Sequence, residues 1–173
     1  MTAVPNPDHE ALVDDAVVNM RRSLAALTSA AATVRLPVSP QMARGVQATE
    51  NAWREMNAEF GLLSGAEVAA RAGSTARTRS SYAADRRRAG TLLGIRRKNA
   101  YLYPGFQFDD TGHVRPVITA LLSVASRHGV SAEGLAQWLC APTGQLGDQR
   151  PVDHLDEEER VLSAAENHYG VQW

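Results

Sequence analysis

Residues 64–104, SGAEVAARAGSTARTRSSYAADRRRAGTLLGIRRKNAYLYP, contain two short helix patterns followed by an alternating segment. Ser64 and Glu67 have the spacing of a capping box, which opens a helix that stops at Gly73. Ser74 caps a second helix that runs to about Ala89. Two helices joined by a short turn containing glycine are typical of the helix-turn-helix, so we interpret the second helix as a recognition helix.

The alternating segment after the second helix predicts a β-hairpin. Leu93 and Ile95 alternate with other residues, as do Tyr101 and Tyr103, and the Lys98-Asn99 pair between the two runs suits a tight turn. We interpret the hairpin as a wing beside the helix-turn-helix, with three cations at its tip: Arg96, Arg97 and Lys98.

The residues before this segment predict two helices. Apolar residues recur every three or four positions after Asp8, and Pro37 ends that pattern. A second helix starts at Pro40 and ends at Gly61. The two helices either bury each other's apolar faces or form a dimer interface, and residues 1–60 are predicted to be a helical extension that favours dimerisation.

The residues after the hairpin predict a third, helical module. Pro116 starts a helix that ends at Gly129, and Ser131 caps the next one. Residues 142–155 are predicted to be irregular, and Asp156 to Glu159 supply carboxylates for the first turn of a last helix. The predicted fold is therefore mainly α, with a winged helix-turn-helix over 61–108 and a helical module over 109–173.

Charge is strongly partitioned along the 173 residues, although the net charge is only −1. Residues 1–70 have a net charge of −3, residues 71–98 have +8, and residues 99–173 have −6. The central segment would attract a polyanion and the flanks would repel one. We therefore predict that the central module binds double-stranded DNA.

The predicted DNA-binding residues fall into two groups. The first turn of the recognition helix is the part that usually meets base edges, and arginine pairs with guanine there. The remaining helix residues and the wing cations are expected to contact phosphates. The full set is Thr75, Arg77, Thr78, Arg79, Ser81, Tyr82, Arg86, Arg88, Arg96, Arg97 and Lys98.

Enzymatic and metal-binding patterns are weak in this sequence. The five histidines lack metal-ligand spacing, no glycine-rich phosphate loop is present, and a single cysteine excludes an internal disulfide. Cys140 with His154 is conceivable as a nucleophile pair, but Cys140 lies on an apolar helix face. The first ten residues lack the regions of a signal peptide, and no apolar run approaches about 20 residues. We expect a cytoplasmic protein that is not an enzyme and needs no cofactor.

The stretch 138–155, WLCAPTGQLGDQRPVDHL, carries a family resemblance. Its pattern W-L-x-x-P…L-G-x-x-x-P-x-D-x-L resembles the signature of the Xre/MbcA/ParS-type antitoxins, and the upstream run LYPGFQFDDTGHVRP is similar to a segment of the same group. The resemblance covers residues 62 to 170, and the family often has glycine where this chain has Asp148. The positions that match are Trp138, Leu139, Pro142, Leu146, Gly147, Pro151, Asp153 and Leu155.

The resemblance implies a partner protein. Members of that family dimerise, repress their own operon and cover the active site of a RES-domain toxin that consumes NAD. Applied to this chain, it implies an antitoxin with a RES-like toxin as partner, a palindromic operator and a homodimer. The toxin-binding residues implied or proposed in the module are Trp138, Pro142, Leu146, Gly147, Arg150, Pro151, Asp153, Glu158, Glu166, Tyr169 and Trp173.

Two other functions are compatible with the same residues. A DNA-binding transcriptional regulator of phage or developmental type would use the central module without any toxin partner. An adaptor would use the basic segment to bind an acidic protein instead of DNA. A steep loss of DNA affinity with salt separates the regulator from the adaptor.

Overall fold

The computed structural model describes residues 20, 21, 23, 40–74 and 79–170. The chain divides into two compact units, residues 1–46 and 47–173. The helix predicted between Asp8 and Pro37 lies largely outside the described residues, as do residues 75–78 of the predicted recognition helix.

The described part of the chain is mainly helical with a small antiparallel sheet, as the sequence predicts. The helices are α1 (Pro40–Phe60), α2 (Gly65–Arg71), α3 (Arg79–Arg88), α4 (Pro116–Arg127), α5 (Ala132–Cys140) and α6 (Glu158–Tyr169). The strands are β1 (Leu62–Leu63), β2 (Ile95–Arg97) and β3 (Ala100–Pro104), in the order β1-β3-β2. No helix in the described ranges is both long and apolar enough to cross a lipid bilayer.

Local signals set the helix ends as predicted. The Ser64 hydroxyl accepts a hydrogen bond from the Glu67 backbone at 3.3 Å, and the Glu67 carboxylate accepts one from the Ser64 backbone at 2.7 Å. This reciprocal capping box fixes the start of α2. The hydroxyl of Ser131 caps α5 in a similar way by accepting from Gly134 N.

The predicted hairpin is present, and a third strand that the sequence did not indicate pairs with it. Ile95 lies opposite Leu102, and Lys98 adopts a φ of 53° in the tight turn between the strands. β1 pairs with β3 through Leu62 and Leu63. Two residues are too short to show alternation, so β1 leaves no periodic signal in the sequence.

The main hydrophobic core joins segments that the sequence assigns to different modules. Trp53 and Met56 of α1 belong to one buried cluster with Ile95 of β2, Leu121 of α4 and Leu139 of α5. The predicted boundary between residues 108 and 109 therefore lies inside a single packed unit. A smaller buried cluster contains one residue each from α2, α3, the loop after α3, β3 and the segment after β3. These residues are Val68, Ala83, Leu92, Tyr103 and Phe108.

A fully buried amide connects the segment after α3 to the segment after β3. The Gln107 side chain donates to Leu93 O at 3.0 Å and to Pro104 O at 2.9 Å, and it accepts from Leu93 N at 2.8 Å. Gln107 thereby satisfies both backbone groups of Leu93, which lies in the loop leading into β2. These hydrogen bonds fix the position of the loop between α3 and β2 relative to the segment after β3.

The stretch that resembles the antitoxin signature folds against the core as two 3₁₀ turns, Gly144–Leu146 and Pro151–His154. Between them, Gly147 and Asp148 have φ values of 66° and 62°. Glycine favours this left-handed conformation, and Asp tolerates it better than most residues do.

Candidate nucleic-acid interface

Three arginines form the last turn of α3, where the negative end of the helix dipole favours cations. Arg86 and Arg88 are exposed. Arg88 pairs with Asp85 at 2.6 Å, and both side chains remain about two-thirds exposed, so water screens this ion pair strongly. Arg86 has no ion pair with the described residues, and its guanidinium lies 5.7 Å from the ring centre of Tyr82.

Arg87 has a different environment from its two neighbours. Its guanidinium carbon lies 3.8 Å from the ring centre of Tyr101 in β3, a close cation–π contact. A Cβ added at Gly94 would lie 2.6 Å from Arg87 Cδ and 2.9 Å from Tyr103 Cε1, so the chain approaches Arg87 too closely there for a larger residue. Arg87 therefore connects the end of α3 to the hairpin and keeps the two basic elements side by side.

Two of the three hairpin cations are exposed, and the third is engaged within the fold. Arg96 and Lys98 are exposed, and neither side chain forms an ion pair within the described chain. Arg97 points back to α1, where Nη2 contacts both Glu50 oxygens at 2.8 Å and the guanidinium lies 5.2 Å from the ring centre of Trp53. The hydrogen bond from Arg97 holds the pKa of Glu50 below its usual range. Arg97 is thus engaged within the fold, whereas its neighbours face solvent.

Other predicted DNA-binding residues are only partly described. Thr75, Arg77 and Thr78 lie outside the described residues, and Arg79 is described only as the first residue of α3. Ser81 is exposed on α3, whereas Tyr82 is half-buried over the smaller cluster.

The predicted toxin-binding residues are largely used in internal packing. Five of the eight residues that carry the resemblance are buried, and Asp153 is exposed; the buried five are Trp138, Leu139, Leu146, Pro151 and Leu155. Tyr169 packs on Trp138 with ring centres 5.6 Å apart, and burial raises the pKa of Tyr169 to about 12. Pro142, Gly147 and Glu158 are exposed, and Trp173 lies beyond the described residues.

Arg150, another predicted toxin-binding residue, joins two segments that are distant in sequence. Its guanidinium donates to both oxygens of Glu59 at 2.8 Å and to both oxygens of Asp153, at 2.9 and 2.7 Å. These hydrogen bonds hold the pKa values of Glu59 and Asp153 below their usual range. Glu59 lies in the last turn of α1 and belongs to no sequence motif, so nothing in the sequence identified it as this partner.

Glu166 forms a second ion-pair site within the fold. It accepts from Arg127 of α4 and pairs with His128 Nε2 at 3.0 Å. The hydrogen bond from His128 and the charge of Arg127 lower the pKa of the Glu166 carboxyl. A carboxylate held in this way is less available to mimic a phosphate for a partner protein.

The cysteine and the histidines show no reactive arrangement in the described chain. Burial raises the pKa of Cys140 to about 12, so its thiol is protonated at neutral pH. His154 Nδ1 lies 2.6 Å from Glu157 and forms no hydrogen bond with Cys140. Across the residues described, no three His, Cys, Asp or Glu side chains are grouped so that they could share a metal ion.

Comparisons with known proteins bear on the fold alone. No protein-family model and no curated protein matches the chain. The fold is similar to that of the NMR structure of Rv2175c, with a TM-score of 0.55 and 22% sequence identity, over 64% of this chain and 82% of that chain. At this level of identity the likeness shows the fold alone.

Proposed function

We propose that the protein is a double-stranded DNA-binding transcriptional regulator that uses a winged helix-turn-helix. In this proposal α2 and α3 are the two helices, α3 is the recognition helix, and the β2–β3 hairpin is the wing. The observation that carries the proposal is the pair of exposed basic elements, the end of α3 and the hairpin turn, which Arg87 and Tyr101 hold together.

The charges suit a phosphate backbone. Four exposed cations, Arg86, Arg88, Arg96 and Lys98, occupy these two elements, and Asp85 is the one carboxylate that pairs with any of them among the described residues. Each duplex phosphate that such a cation neutralises releases condensed counterions, which favours binding at low salt. A helix end and a hairpin turn can each contact the backbone while the start of α3 faces the bases.

The test is the salt dependence of DNA binding, measured by fluorescence anisotropy with a random-sequence duplex. The double variants Arg86→Gln with Arg88→Gln, and Arg96→Gln with Lys98→Gln, each remove two cations. Each should flatten the slope of log affinity against log salt by about 1.8, because each phosphate contact contributes about 0.9.

A matched control separates local contact from total charge. Arg127→Gln with Arg160→Gln removes the same charge from α4 and α6, outside the proposed interface. We expect this control to keep the wild-type slope. If both interface variants behave like the control, or if the wild-type protein shows no salt-dependent binding between about 50 and 200 mM salt, the proposal is wrong.

The antitoxin function remains a second proposal, supported by the resemblance and by one surface feature. The start of α6 presents Glu158 and Glu159 beside a broad, open concavity, where the neighbouring Glu157 is already paired with Arg160 and His154. Exposed carboxylates there suit a partner cleft that is lined by cations. Co-expression with a RES-domain protein and pull-down tests this role, and Glu158→Gln with Glu159→Gln should weaken capture without changing DNA affinity.

A further inference from the structure

A largely enclosed cavity of about 190 Å³ lies beside α3. Its walls come from α2 and the residue that follows it, from α3 and the loop after it, and from the segment that precedes α4. Val68, Leu92 and Phe108 form its apolar side, and none of these three side chains is more than 5% exposed. Because an apolar cavity of about 150 Å³ accommodates benzene, this one has room for a single aromatic ring with a short substituent.

The polar lining of the cavity is basic and aromatic. Tyr82, Arg86 and His113 contribute to it, and none of its described lining residues is acidic. Arg86 has no ion pair with the described residues, as noted above, so its charge is not neutralised within the fold. A cation without a counterion beside an apolar pocket favours an anionic ligand that also has an apolar body.

Hydrogen bonds in the loop before α4 fix the orientation of the His113 ring. The Thr111 hydroxyl donates to the Asp109 carboxylate at 2.6 Å and lies 2.7 Å from His113 Nδ1. Because the only proton of that hydroxyl goes to Asp109, Nδ1–H must donate to the Thr111 oxygen. Nε2 of His113 then has no hydrogen-bond partner among the described residues, and His113 contributes a second polar group to the cavity lining.

We propose that this cavity binds a small monocyclic aromatic carboxylate. The ring would lie against Val68, Leu92 and Phe108, and the carboxylate would pair with Arg86, with His113 as a further polar neighbour. Arg86 is also one of the four exposed cations of the proposed DNA interface. Bound ligand therefore competes with a DNA phosphate for the same guanidinium and weakens DNA binding. This last consequence rests on the proposed function, whereas ligand binding itself does not.

The site is tested on the full chain without DNA, by NMR titration with sodium benzoate and, separately, with neutral benzamide. We expect saturable binding of benzoate, with shifts at Val68 and Val114, and an affinity about tenfold higher than that of benzamide, because only benzoate forms a charge-assisted pair. Arg86→Gln should reduce the benzoate affinity about tenfold and leave the benzamide affinity unchanged.

Filling the cavity gives an independent test. Ala72 lines the cavity, whereas Ala70 is an exposed residue of α2 that does not. Ala72→Met should abolish binding of both compounds, and Ala70→Met should leave both affinities unchanged. The Arg86→Gln comparison needs only a surface substitution, so it decides the question even if Ala72→Met fails to fold. Absence of saturable benzoate binding, or equal affinities for benzoate and benzamide that Arg86→Gln does not alter, overturns the proposal.

A DNA assay then tests the competition. Saturating benzoate should lower the affinity of the wild-type protein for a random-sequence duplex several-fold and should have no effect on Ala72→Met. An unchanged DNA affinity in the presence of bound benzoate overturns the competition. A ligand-free protein that does not bind DNA contradicts the proposed function instead, and the NMR titration still decides whether the cavity binds the ligand.

Discussion

Gln107→Leu is expected to be among the most destabilising single substitutions in this protein. The change replaces a fully buried amide with an apolar side chain of similar size. It removes three hydrogen bonds at once, two that the amide donates and one that it accepts. Leu93 lies outside the helices and strands, and its N–H and C=O form no backbone hydrogen bond. Both groups therefore lose their partner while Leu93 remains buried.

The magnitude follows from those orphaned groups. A buried backbone donor or acceptor without a partner costs about 1–3 kcal/mol, and three such groups are affected here, with Pro104 O as the third. Partial relaxation and the added apolar contact of leucine offset some of this loss. We expect the free energy of unfolding to fall by about 3–5 kcal/mol, which is a large part of the roughly 5–15 kcal/mol of a typical domain.

Urea denaturation followed by circular dichroism measures this effect. With a slope of about 2 kcal/mol per M, a loss of 4 kcal/mol lowers the midpoint by about 2 M. Gln137→Leu is the matched control, because Gln137 is half-buried on α5 and has no hydrogen bond to the described residues. We expect the control to change stability by less than about 0.5 kcal/mol. If Gln107→Leu lowers the free energy of unfolding no more than the control does, the buried amide does not hold the start of the hairpin in place.

Three further substitutions probe other contacts of the fold. Gly94→Ala should reduce stability by about 1–3 kcal/mol in the same denaturation assay, because its Cβ would meet Arg87 and Tyr103; Gly129→Ala, with open space around a Cβ but a φ of 67°, should cost only about 1 kcal/mol from backbone strain. Tyr101→Ala should lower DNA affinity and leave α3 helical, since it removes the ring under Arg87; an unchanged affinity would separate the hairpin from the DNA contact. Arg150→Met should lower stability at pH 7 by about 1 kcal/mol, because Glu59 and Asp153 are both almost half exposed. The pKa values of both carboxyls are lowered in the fold, so this stabilisation is present above their ordinary values of 4.5 and 3.8 and is lost as the pH falls through the lower folded values. The difference between Arg150→Met and wild type should therefore shrink in acid, and a difference that stays constant from pH 7 to acid would contradict the ion-pair explanation.

Helix ends were predictable because their causes are local. Ser64 with Glu67, Ser131 and Pro116 each act within one turn, and the structure confirms each of these starts. The predicted last helix was two residues too early, since α6 begins at Glu158 and Asp156 precedes it. Its N-cap position, occupied by Glu157, has no side-chain capping bond that could have fixed the start from sequence.

Long-range partners were not predictable, because they depend on packing that no short pattern contains. Arg150 and Glu59 are 91 residues apart, and the backbone N–H of Arg96 donates to Glu133 at 2.8 Å across 37 residues. The resemblance drew attention to residues 138–155 and treated them as a binding surface. Several of their apolar side chains pack into the core, among them Leu146, Val152 and Leu155, whereas Pro142 is exposed.

The alternation of side chains along β2 could have distinguished the hairpin cations from one another in the sequence. Side chains alternate along a strand, so Arg97 shares a face with the buried Ile95, and Arg96 lies on the other face. Alternation from Ile95 therefore directs Arg97 towards the core side, where Glu50 and Trp53 receive it, and leaves Arg96 in solvent. Only the cations on the solvent side and at the turn can replace counterions on a duplex. The expected contribution of the hairpin to the salt slope is consequently about 1.8, from Arg96 and Lys98, and a value near 2.7 would require Arg97 to leave Glu50 on binding.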